Sequence, residues 1–176
     1  MVKGILGTIG VHLVLALALF GLLYMFTDSF SDASESLLIN TQNSDDASRI
    51  VLDALESARS DLFGWAWQTL LVSCIAAILF LFSAHRTMPQ TPKDKSSRLW
   101  LWTLLFVVIL VAMGFAWWRT ISIPAIADPI DPGSYAITIA TLVGLTILGF
   151  WLCTALFVKA TMVKSVPLGF VLRQGG

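Results

Sequence analysis

Apolar residues fall in four long blocks along the chain, separated by short polar stretches. The blocks run about 4–26, 65–84, 99–118 and 136–158, and none contains Asp, Glu, Lys, Arg or Pro. At about 1.5 Å per residue, some 20 apolar residues reach across a hydrocarbon core of about 30 Å, so each block predicts a transmembrane helix. The expected fold is an all-α membrane protein, one four-helix transmembrane domain over residues 1–176, with 27–64 as an acidic extracytoplasmic segment. The first block exceeds 20 residues and lacks a small-x-small site close to its end, which reads as a retained helix rather than a signal peptide.

The stretches between the blocks have patterns of their own. The first opens after Thr27 as a Ser/Asp/Asn-rich stretch that reads as loop. From Asp46 to Phe63 the residues Ala47, Ile50, Val51, Ala54, Leu55, Ala58 and Leu62 recur at three- and four-residue steps, the period of an amphipathic helix. Ser44, Asp45 and Asp46 suit its N-terminus, and only Gly64 stands between it and the second block. One helix over about 46–84 is therefore expected, its outer half (about 46–63) continuous with the second span. The apolar positions Ile50, Ala54, Leu55, Ala58 and Leu62 would either cap the bundle or dock a partner. Pro89 and Pro92 predict an extended inner connector over His85–Arg98, and Pro124, Pro129, Pro132 and Gly133 a compact loop over Thr120–Tyr135. The tail places Pro167, Leu168, Phe170, Val171 and Leu172 between Lys164 and Arg173, an apolar patch for the inner interface or for a cytosolic partner.

Composition supports the membrane reading: 57% of residues are hydrophobic and 12% charged, against about a quarter charged in soluble domains. The net charge of zero conceals a segregation. Lys3, Arg86, Lys93, Lys95, Arg98, Lys159, Lys164 and Arg173 fall on one side of a four-span topology, with Asp94 as the sole acid. Ten of the eleven acids fall on the other. Short basic segments stay inside, which predicts cytoplasmic N- and C-termini in a bacterial inner membrane. Tryptophans gather at the predicted span ends, and only Trp151 lies well inside one.

Candidate chemistry is sparse. His12 is the one ionisable histidine, acid or base within a predicted span, and a neutral imidazole bonded to a neighbouring helix accounts for it. Ser73 with His12 is the nucleophile and base pairing that composition offers, but no GxSxG-like context surrounds either residue. Cys74 and Cys153 lie inside apolar blocks, far from CxxC spacing, and read as buried thiols. No catalytic residue, cofactor or metal is expected. Small residues supply the packing signals. Gly4, Gly7 and Gly10 are read as a face for another copy or another subunit. Ala136, Ala140 and Gly144, with Ala112 and Ala116, are read as closing the bundle.

The order of span, acidic helical outer segment, span, basic inner loop, span, proline-containing outer loop and span resembles an uncharacterised family of inner-membrane proteins encoded in integrating conjugative elements. The stretch from Ser122-Ile123-Pro124 through the fourth span to Lys159-Ala160-Thr161 is similar to that family's ending. The short, proline-broken inner loop departs from it, and no functional residue is carried over. The expected role is a noncatalytic membrane subunit or scaffold of an envelope assembly of the DNA-transfer or secretion type. Its expected partners are the bilayer and other membrane proteins or itself, with no direct nucleic-acid binding. Alternatives are a membrane immunity or phage-defence protein and a small pore or transporter subunit.

Overall fold

A computed structural model describes the backbone of residues 2–40, 45–86, 92–121, 132–158 and 165–168, and the side chains of 2–25, 53, 60–86, 98–116, 118, 137, 139–158 and 165–168. Four helices make up most of the described chain: α1 Val2–Asn40, α2 Asp45–Arg86, α3 Pro92–Ile121 and α4 Pro132–Phe157. Each contains a segment long and apolar enough to cross a bilayer: Val2–Met25, Ser60–Arg86, Arg98–Ala116 and Ile139–Phe157. This is the architecture of a multi-pass membrane protein, and the segments match the four predicted blocks to within a few residues.

The helices overrun the predicted boundaries. Residues 27–40, expected as loop, continue α1. Ser and Asp are weaker helix formers than Ala by only about 0.5 kcal/mol, and no Pro or Gly interrupts the stretch, so a helix already nucleated in the first span propagates through it. The inner connector is likewise shorter than expected. Pro92 opens α3, where its missing N–H has no intrahelical partner to lose, and Lys93–Arg98 form the first turns of that helix rather than an extended linker. As expected, α2 runs unbroken through Gly64. Residues 46–63 belong to α2 and form no separate element. The amphipathic surface assigned to them rests on Ile50, Ala54, Leu55 and Ala58, whose side chains lie outside the described residues. Leu62 is 2% exposed and packs into the bundle, so it is not a free docking residue.

At the centre stands α2, packed on all three other helices, while α1 and α4 pack on each other and α3 touches α4 only slightly. Its inward face carries Ala66, Ser73, Ala76, Ala77 and Ala84, small residues that let neighbouring backbones approach. One core cluster lies toward the Arg86 end, where Phe80, Ile109 and Phe150 are fully buried, and takes in Val166 of the tail. The other, toward the opposite end, joins Leu19 and Leu23 of α1 to Ala66 and Leu70 of α2 and Leu142 of α4. Phe20 stacks on Phe63 at 5.5 Å between centroids, carrying the α1–α2 pairing outward past Gly64. Leu6, Leu13, Val14, Leu17, Leu71, Ile75, Leu104, Val108 and Val111 point outward. Around a soluble bundle this would be an apolar patch far beyond the usual few hundred Å². In lipid it is the expected surface.

Candidate functional site

The polar residues of the spans converge. His12 of α1, on the same face as Thr8 one turn earlier, enters the bundle between α2 and α4 and is 6% exposed. Its Nδ1 lies 2.9 Å from the Thr8 carbonyl oxygen, and its Nε2 lies 3.1 Å from Ser73 Oγ of α2. Ser73, fully buried, also reaches the Thr146 carbonyl of α4 at 3.2 Å. The Cys153 thiol stands 3.6 Å from His12 Nδ1 and 3.9 Å from the Thr8 carbonyl. Gly149 of α4 lies beside the ring and leaves room for Leu15, since a Cβ there would stand 2.7 Å from Leu15 Cδ1, while His12 Nε2 at 3.6 Å would be an ordinary contact.

Proton counting fixes the bonding pattern. The Thr8 carbonyl can only accept, so Nδ1 carries the proton and donates to it. In the neutral ring Nε2 then accepts, and the single Ser73 hydroxyl proton bridges His12 Nε2 and the Thr146 carbonyl. The connectivity of hydroxyl, imidazole and backbone acceptor is that of a nucleophile with its base and orienting group. The setting differs, because Ser73 has no accessible surface and its proton is shared with a main-chain oxygen. The arrangement ties α1, α2 and α4 together within the hydrocarbon, where unsatisfied polar groups are costly. A Ser73→Ala change is expected to lower stability by about 0.5–1.5 kcal/mol, in the range of interhelical hydrogen bonds in membranes. The midpoint of detergent-induced unfolding measures it.

His12 and Ser73 stand out in the sequence by their chemistry, whereas Thr8 and Gly149 join the cluster only in the fold. The four-residue spacing of Thr8 and His12 was a readable signal; Gly149 offered none. A second tie lies nearer the Arg86 end, where Trp102 Nε1 donates to Thr154 Oγ1 at 3.0 Å and Trp102 stacks on Phe106. Trp151, the tryptophan that sits away from a predicted span end, donates through Nε1 to the Pro167 carbonyl at 2.7 Å. That bond and the buried Val166 hold the start of the tail against the bundle, while Leu168 turns outward with φ 56°. The Arg98 guanidinium reaches Ser83 Oγ between α2 and α3.

The small-residue faces are distributed differently from the expectation. Gly4 and Gly7 face Phe157 of α4 within the same chain, where they serve α1–α4 packing. Gly10 has open space beside it. Ala140 and Gly144 are exposed and do not close the bundle, because α4 turns Leu142, Thr146, Phe150 and Cys153 inward. The Ala136 side chain lies outside the described residues. Ala116 is buried and Ala112 half-buried, both on α3 against α2.

A groove of about 200 Å³ between α1 and α2 runs past the polar cluster. His12 and Cys74 border it among apolar side chains that include Leu13, Leu71 and Ile75. Among the described residues no three His, Cys, Asp or Glu side chains come together as a metal site. No family model, curated protein or solved structure matches the chain.

Proposed function

We propose that the chain is a noncatalytic membrane subunit of a multiprotein envelope assembly of the DNA-transfer or secretion type, lying in a bacterial inner membrane with both termini in the cytoplasm. One observation carries the reading. Beyond their spans, α1 continues as helix over 26–40 and α2 begins at Asp45, fifteen residues ahead of Ser60. At 1.5 Å per residue each extension is roughly 22 Å long. Four residues join them, so both project from the same end of the bundle. A paired projection rich in carboxylates, from Asp28 to Asp61, supports a role in engaging a protein outside the bilayer. Anionic headgroups would repel it, which disfavours its lying on the membrane. The intramembrane polar groups support the same reading, since His12, Ser73 and Thr146 hold helices together.

The test is site-specific photocrosslinking in the native host from positions 36 and 56, together with blue-native electrophoresis after gentle extraction. Discrete heavier adducts at both positions and a complex larger than the monomer are expected. A monomer without adducts would overturn the proposal. The acidic projection also favours a second reading, capture of an incoming toxin or phage component. Expression of the chain alone followed by toxin and phage challenge separates the two, because a scaffold confers no protection.

A further inference from the structure

Between α2 and α3, at the end of the bundle away from Arg86, lies a cleft of about 280 Å³. It exists because α3 presents the small Ala112 where a larger residue would reach α2. Trp65 and Phe115 wall its mouth, meeting edge to face at 6.4 Å between centroids. Val72 lines its inner part. Two polar side chains enter the lining. Thr69 is tied to its own helix through Oγ1, which donates to the Ala66 carbonyl at 3.0 Å. Gln68 is exposed and makes no hydrogen bond to another described residue. Gln68 lies five residues from the midpoint of the Ser60–Arg86 span, about 7.5 Å by helix rise, and a hydrocarbon core extends about 15 Å to each side of its centre. Its side chain leans toward the helix N-terminus, which carries the amide toward the ester level of the bilayer. An amide facing hydrocarbon needs a partner.

We propose that this cleft holds one ester-linked phospholipid, with the Gln68 amide donating to an acyl ester carbonyl and the first carbons of the chain lying against Trp65, Phe115 and Val72. The described lining contains no charged side chain, so the ester is recognised and the headgroup is not.

Native mass spectrometry of the full chain, delipidated in mild detergent and titrated with single lipids, tests the assignment. Diester phosphatidylglycerol and diester phosphatidylethanolamine are expected to give one tightly retained lipid with similar affinity. A diether phosphatidylglycerol, which lacks the ester carbonyl, is expected to bind about fivefold more weakly, the loss of one net hydrogen bond. Gln68→Leu should bring the diester lipid down to the diether level without altering thermal stability. Ala112→Leu, which fills the cleft, should remove retention of both. Equal binding of diester and diether lipids, retention that follows headgroup charge, co-purification of an isoprenoid quinone in place of phospholipid, or a Gln68→Leu protein that binds as the parent does would each overturn the proposal.

Discussion

Replacing Phe150 with alanine is expected to lower the stability of the bundle by about 2–4 kcal/mol. Phe150 is fully buried and its ring meets those of Trp102 at 5.2 Å and Phe106 at 6.3 Å. In lipid the transfer term for an apolar side chain shrinks, because the unfolded helices also lie in hydrocarbon; what is lost is packing, and a cavity remains in its place. The effect falls on a slight helix pairing, since α3 meets α4 over little more than this aromatic cluster and the Trp102–Thr154 hydrogen bond. Leu148→Ala, two residues away but facing outward, is expected to cost close to nothing. Midpoints of sodium dodecyl sulfate unfolding for the two variants provide the comparison, and equal losses would contradict the packing of α4 described above.

Gly7→Leu is expected to be the most damaging of the glycine replacements in α1, at about 1–3 kcal/mol. A Cβ at Gly7 would overlap the Phe157 ring, so either the ring leaves its seat against α1 or the two helices move apart. At Gly4 a Cβ would stand 3.5 Å from that of Phe157, an ordinary contact, and at Gly10 it would meet nothing. The expected order of harm is therefore Gly7 well above Gly4, and Gly4 above Gly10. Adding Phe157→Ala to Gly7→Leu should recover much of the loss, a coupling that independent sites would not display. A Gly10→Leu variant less stable than Gly7→Leu would mean that the glycine face meets another surface.

The four spans are legible in the sequence because an uninterrupted apolar run is a one-dimensional signal whose length the bilayer sets. Helix ends are less legible. The stretch from Thr27 to Asn40 has loop-like composition, yet Ser and Asp weaken a helix without ending it. Pro92 reads as a breaker from the sequence and proves to be a first-turn residue, a distinction that depends on where the helix starts. His12 stands out by its chemistry, and Ser73 follows as the serine buried on a neighbouring span. Their meeting with Thr146 depends on the relative rotation of three helices, which no single segment encodes. Small residues show the same limit. Gly7 and Gly144 each belong to a small-residue stripe, and one is filled by Phe157 while the other faces outward. A glycine face permits close approach and does not say to what. Leu62 continues the apolar stripe of residues 46–63, yet it is buried, which the stripe alone does not reveal.

Four crossings put the extensions of α1 and α2 on the side opposite the start of α1 and the end of α4. Single cysteines introduced at positions 36, 93 and 173, in a chain whose Cys74 and Cys153 are replaced by serine and alanine, can be tested with a membrane-impermeant maleimide in intact cells and in inverted vesicles. Position 36 is expected to react in intact cells, and positions 93 and 173 only in inverted vesicles. Labelling of 36 and 93 from the same side, or of 93 and 173 from opposite sides, would contradict the four-span arrangement.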